Sequence, residues 1–242
     1  DMKVYYQNTE LCFDKDTLAI SITSNGKPWK TAEEYRPCFY FRDEKVYFEN
    51  AEKKEHFVWK TGVGVGIRTV FTGFGNCEGL DEFCFQTVVW VEYATQDIFF
   101  ELTPLKETDA LVGEFFWPGQ MEFAKKDSRW YTVVNNRQGL LIPNDWPYAV
   151  DKMVFDGQMC SAGAFMPWFG QVRPESAYIG IVCDPWDAGY QVSHPAGGDY
   201  CHVSVRWLPS LGKLAYKRTM KYRFLKDGDY NDLCKVYREY AK

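Results

Sequence analysis

The stretch Leu214–Phe224, LAYKRTMKYRF, decides the fold class. Leu214, Tyr216, Met220, Tyr222 and Phe224 share one parity, while Lys217, Thr219, Lys221 and Arg223 share the other. Period-two alternation puts successive side chains on opposite faces of a pleated strand, so the segment reads as a long strand buried on one side. Arg218 breaks the rule by placing a charge on the apolar side. Such a charge needs a partner or an exit to water, so it either meets a carboxylate or lies near the strand's exposed end.

Working outward, the same signal recurs upstream at Leu18–Thr23, Thr61–Phe71, Phe85–Tyr93, Asp97–Leu102, Trp130–Asn135, Gly139–Ile142, Tyr178–Cys183 and Cys201–Trp207. Ser24, Asn25, Gly26 and Lys27 read as a turn, and Ala94, Thr95 and Gln96 join two of the runs into a hairpin. Downstream the period changes. Tyr230, Leu233, Cys234, Tyr237 and Tyr240 recur at helical spacing behind Asp229, a plausible N-cap. This helix reaches Lys242 with no Gly or Pro stop, the pattern of a chain that continues. With no internal repeat or interior linker, the expectation is an all-β domain over 1–228 and a connecting helix over 229–242.

Composition fits one large β domain. Of 242 residues, 46% are hydrophobic, enough for a core, and 18% are aromatic. Aromatic rings offer apolar faces that suit the C–H faces of sugars, although most must fill the core of a β-protein. The net charge of -5 argues against a nucleic-acid partner, because phosphate binding needs concentrated Lys and Arg. No apolar run is long enough to span a bilayer, and Asp1–Tyr6 is not a signal peptide. The compartment stays open: the chain is cytosolic, or exported (periplasmic or extracellular) with its signal removed. Eight cysteines form no CxxC pair and read mainly as buried thiols, with a Cys77–Cys84 disulfide as the alternative.

Few catalytic or cofactor motifs survive inspection. Gly62, Gly64 and Gly66 lie in a strand pattern that opens no helix, so they mark close backbone approach rather than a phosphate loop. His56, His194 and His202 have no metal-ligand spacing, and neither a metal nor a cofactor is expected. A GxSxG nucleophile is absent. Asp145, Asp184, Asp187 and Asp199 sit beside aromatics in loop-like stretches, where Asp also simply favours turns.

Two segments carry the richest chemistry. Asn144, Asp145, Trp146 and Tyr148 place an amide, a carboxylate and two rings at the end of an apolar run, able to bond sugar hydroxyls and stack on a ring face. Trp168, in Met166–Gly170, offers a second aromatic wall. The alternative for Trp146 and Trp168 is that both plug the ends of the sandwich. His194 joins the candidates because it lies in the loop SHPAGG, and loops carry sites.

These residues also carry a resemblance. Gly64, Gly66 and Arg68, then Trp117 and Pro118, then LLIPNDWPY (140–148), MPWFG (166–170), IGIVCDPWDA (179–188) and the closing YKRTMKYRFLKDGDYNDLCKVYREYAK (216–242) resemble the N-terminal region of large bacterial glycoside hydrolases. In the endo-α-N-acetylgalactosaminidase-like and related α-glycosidase families, a galactose-mutarotase-like β-supersandwich precedes a (β/α)8 catalytic barrel. The resemblance implies a non-catalytic accessory domain, with the catalytic carboxylates on a barrel beyond Lys242. It also implies loops near a glycan site, carried here by Asn144, Asp145, Trp146 and Trp168. The expected partners are a carbohydrate and that barrel. The alternatives are a free-standing mutarotase-like epimerase or lyase with His194 and a carboxylate as acid and base, or a carbohydrate-binding module. The His motifs of true epimerases have no match here.

Overall fold

The computed structural model describes residues 1–150, 157–160 and 163–242. Four short strands open the chain as a meander: β1 (Met2–Tyr6), β2 (Thr9–Phe13), β3 (Ile20–Ser24) and β4 (Lys27–Lys30), paired in that order. Asn25 and Gly26, both at positive φ, make the tight turn between β3 and β4 that the sequence announces. Next come the hairpin β5 (Cys38–Phe41) and β6 (Glu44–Tyr47), then a second meander of β7 (Lys53–Lys60), β8 (Gly64–Thr72), β9 (Cys84–Glu92) and β10 (Ile98–Lys106). The chain continues through β11 (Phe115–Phe116), β12 (Tyr131–Asn136), β13 (Leu140–Pro143), β14 (Gly157–Met159), β15 (Gly163–Arg173) and β16 (Ser176–Val182). It closes with β17 (Ala188–Ser193), β18 (His202–Trp207), β19 (Arg218–Leu225) and the helix α1 (Tyr230–Tyr240).

Among the described residues, β5 to β19 form one large sheet in the order β6-β5-β11-β18-β17-β14-β15-β16-β19-β10-β9-β8-β7, with β12 and β13 attached beside β15. The sheet curls so that its ends face each other across an aromatic core. Phe39 on β5 meets Phe85 on β9 at a centroid distance of 6.1 Å, and Phe100 on β10 meets Trp117 at 5.7 Å. The first sheet closes one side, where Trp29 on β4 packs edge-on to Tyr178 of β16 at 4.9 Å and donates through its indole N–H to Ser176 Oγ at 2.8 Å. Burying large rings in such offset and edge-to-face contacts supplies much of the stabilisation of a β core. The result is the all-β sandwich with a C-terminal helix that the resemblance implied.

A second, smaller core lies on the outer face. Val133, Trp168, Ala177, Ile179 and Ile181 are covered by Leu233 of α1. Strand β16 is therefore buried at every position, because its two faces meet different cores. Asp229 caps the helix by accepting from the amides of Asn231 and Asp232, and Asp232 returns a bond to the Asp229 amide, a full capping box. Gly170 makes room for this docking: a Cβ there would lie 2.5 Å from Leu233 Cδ1.

The deciding segment differs from expectation in one respect. Only Arg218–Leu225 is strand; Leu214–Lys217 is an irregular approach in which Ala215 takes a positive φ. Among the described residues Arg218 therefore pairs with no carboxylate, and it does not leave the core. Its side chain is fully buried, and its guanidinium donates to the carbonyls of Leu214 (2.7 Å), Asp187 (3.0 Å) and Leu208 (3.0 Å) while lying over the Tyr216 ring. The fork geometry of guanidinium spans three carbonyls of a loop-rich corner, two of which, Leu214 O and Asp187 O, also accept a backbone amide.

Gly64 and Gly66 behave as strand glycines: a Cβ on Gly66 would fall 2.0 Å from the Val89 carbonyl oxygen and 2.4 Å from Trp90 Cβ. All eight cysteines are free, Cys77 and Cys84 included. No described helix is long and apolar enough to cross a membrane.

Candidate functional site

The segment after β13 is a turn held from below. The Asn144 amide donates to Trp130 O at 2.8 Å and its carboxamide nitrogen to Phe123 O at 3.2 Å, while the Trp146 amide closes the turn on Pro143 O at 3.0 Å. Asn144 is wholly buried, and its Oδ1 has no partner among the described residues. Asp145 lies exposed beside it. Trp146 and Tyr148 are exposed and meet edge to face at 5.8 Å, so this pair offers aromatic surface to solvent.

His194 is brought to the same place from far along the chain. Its backbone pairs with Val150 in both directions at 2.8 Å, and Gly197 N donates to Pro147 O at 3.1 Å. Its ring is buried, with Nε2 2.7 Å from Trp146 O and Nδ1 2.6 Å from Tyr200 O. Both nitrogens thus face carbonyl acceptors; a ring with two protons donates to both, a neutral one to a single carbonyl. The imidazole ties two loops together.

Trp168 stands apart from this group. It is 2% exposed, lies beneath α1 with its ring centroid 6.1 Å from that of Tyr237, and presents no face to solvent. As an aromatic wall for a sugar it needs correction, because the helix that the sequence announced occupies the surface on which the ring would stack. Asp184 and Asp187 are likewise engaged: Asp184 accepts from the Thr219 amide at 2.9 Å, and Asp187 from the Tyr216 hydroxyl at 2.6 Å.

A feature that sequence reasoning missed lies over β5, β11, β17 and β18. There a cleft of about 530 Å³ opens on the face of the sheet opposite the core. Alternation explains its chemistry: Val203, Val205 and Trp207 of β18 point into the core, leaving His202, Ser204 and Arg206 on the other side. The segment Gly113–Gln120, GEFFWPGQ, forms one wall. Within it Gly119 seats the Tyr35 ring, since a Cβ would lie 2.1 Å from it, and Gly113 lets the chain approach the Tyr40 backbone, where a Cβ would lie 2.9 Å from Tyr40 Cβ. The Tyr35 hydroxyl donates to the Phe116 carbonyl, and Tyr40 meets Phe116 edge to face at 5.6 Å.

The charges of the cleft are largely paired off. Arg206 faces Glu114 at 3.6 Å, and Arg36 pairs with Glu49 while lying over the Tyr47 ring. Burial pushes the Cys38 thiol up to about 11, so it is no nucleophile near neutrality. Burial also lowers the His202 pKa from its ordinary value, against an opposing pull from the Glu34 carboxylate. Among the described residues no group of three or more His, Cys, Asp or Glu is arranged to hold a metal. The sequence signal for this site was the string of glycines and aromatics around Trp117 and Pro118, but nothing local tells a cleft wall from core.

No protein-family model matches the chain, and no curated protein does. Solved structures do. An α-N-acetylgalactosaminidase from Bifidobacterium bifidum, NagBb, in complex with GalNAc, is 36% identical over 99% of this chain, with a TM-score of 0.94. The same enzyme bound to Gal-NHAc-DNJ gives 0.95, and its ligand-free form 0.91, at the same identity and coverage. The chain spans 38% of the length of that enzyme. A galactose mutarotase related enzyme from Lactobacillus acidophilus superposes only at 0.43, with 11% identity. The chain is therefore a β-sandwich domain that is similar, in sequence and backbone along its whole length, to part of a bacterial glycoside hydrolase.

Proposed function

We propose that the chain is the non-catalytic β-sandwich of a glycoside hydrolase acting on glycans that carry α-linked N-acetylgalactosamine. In this reading α1 leads on to a (β/α)8 barrel that bears the catalytic carboxylates, and the sandwich packs against that barrel. The observation that carries it is 36% identity over 99% of the chain to an enzyme of which the chain spans 38%. The exposed Trp146 and Tyr148 fit a loop turned toward a partner surface or a glycan. Asn144 and Asp145 sit beneath and beside that pair. His194 supports the loop through its ring nitrogens, an arrangement that leaves it poorly placed as the acid or base of a free-standing epimerase.

Two measurements test this. The chain alone, incubated with p-nitrophenyl α-N-acetylgalactosaminide, is expected to release no nitrophenol, and sustained turnover would defeat the reading. The open reading frame is expected to encode a barrel-sized segment after Lys242. A stop codon there would defeat it equally.

A further inference from the structure

We infer that the cleft walled by Gly113–Gln120 is a carbohydrate-binding site, separate from the Trp146 loop, that takes one neutral pyranose unit of a glycan. None of Asn144, Asp145, Trp146, Trp168 or His194 lines it. Its volume, about 530 Å³, falls within the ~300–1,000 Å³ typical of small-molecule sites. The lining matches the chemistry of a sugar. Gln120 offers an amide donor and a carbonyl acceptor side by side, the Gln191 amide is held by a 3.4 Å bond to Ser204 Oγ with a second N–H and its carbonyl still to give, and the Glu114 carboxylate and Arg206 guanidinium place acceptor and donor 3.6 Å apart. Vicinal sugar hydroxyls need such paired acceptors and donors. The Tyr40 and Phe116 rings supply an apolar surface for the C–H face.

Two further observations favour a built site over a chance groove. Gln191 and Arg206 stand on the strands β17 and β18, and Gly119 leaves room for the Tyr35 ring against the wall. The ion pairs Arg206–Glu114 and Arg36–Glu49 largely cancel the local charge, which suits a neutral ligand and disfavours phosphate. The choice of a sugar among polar ligands rests on the glycoside hydrolase reading above.

The test is a titration of the ¹⁵N-labelled chain with N-acetylgalactosamine, galactose, N-acetylglucosamine and inorganic phosphate, followed by amide shifts. The expected result is saturable sugar binding, with shifts centred on β11, β17 and β18 and none with phosphate. Gln191→Ala or Gln120→Ala, checked for folding by circular dichroism, should weaken binding at least tenfold, and Tyr5→Ala, an exposed position on β1 away from both loops and cleft, should leave it unchanged. The proposal is overturned if no sugar saturates the chain, if phosphate binds in the cleft instead, if binding survives both Gln variants, or if Tyr5→Ala abolishes it. Cleft binding of galactose or N-acetylglucosamine without N-acetylgalactosamine would uphold the site while removing support for the substrate class. Hydrolysis by the isolated chain would sink the non-catalytic reading and leave the cleft standing.

Discussion

The Nε2 atom of His194 lies 2.7 Å from the carbonyl oxygen of Trp146, across 48 residues of sequence. The contact is to backbone, so the histidine fixes where the Trp146 loop runs while the indole stays free on the surface. Support and contact are thus divided between two residues that look equivalent as loop-borne candidates.

His194→Ala is accordingly expected to destabilise the fold by about 1–2 kcal/mol, since it removes a buried ring and its bonds to the part-buried carbonyls of Trp146 and Tyr200. Trp146→Ala should change stability by less than about 1 kcal/mol, because the ring is exposed. Urea denaturation gives both values. Hydrogen exchange should show early opening of the 144–150 and 194–200 segments in the first variant alone.

Replacing Arg218 tests a charge satisfied by carbonyls. Arg218→Met keeps bulk but takes the guanidinium from the Leu214, Asp187 and Leu208 carbonyls; Leu214 O and Asp187 O keep the amides of Tyr216 and Leu208, and Leu208 O is left open, an expected loss of about 1–3 kcal/mol. Arg218→Lys should recover little of this, since an ammonium is a compact point charge that cannot span acceptors arranged for a planar fork. Equal stability of the lysine variant and the parent, by thermal melting, would contradict this account.

The helix α1 is held chiefly by Leu233, its one fully buried residue. Leu233→Ala should cost about 2–4 kcal/mol from lost burial and the cavity left over Gly170 and Ile179. The helix should then loosen and wet Trp168, which reads out as a red shift in tryptophan emission. Arg238→Ala, on the exposed face of the helix, is the control and should leave the emission unchanged.

Histidine burial sets an acid sensitivity. Burial lowers the pKa of His202 and of His56, so each folded-state value lies below that of the unfolded chain. In the interval between the two values the unfolded chain binds more protons, and stability falls as pH drops. The melting temperature should therefore decline as pH goes from 7 toward 5, above the range where ordinary carboxylates titrate. His202→Gln should flatten that decline. A melting temperature independent of pH over this interval in the parent would refute the assignment.

Much of the architecture was legible in the sequence because its causes are local. Alternation marked β8, β9, β12, β18 and β19 to within a few residues, the Asn25–Gly26 turn needed only its own backbone, and the capping box of α1 lies within four residues. Gly64 and Gly66 were readable as close-approach glycines for the same reason. Strands such as β7 and β15 escaped because exposure on both faces, or burial on both, erases alternation.

By itself, then, the sequence determined that this is an all-β chain with aromatic interior and a capped C-terminal helix, since periodicity and capping act over a few residues. Only the tertiary structure decided that Trp168 lies under that helix, that Arg218 is answered by carbonyls, and that residues from 34 to 206 enclose one cleft. Those outcomes depend on which faces of a curled sheet meet. That choice is made by the balance of burial over the whole chain, and no local pattern encodes it.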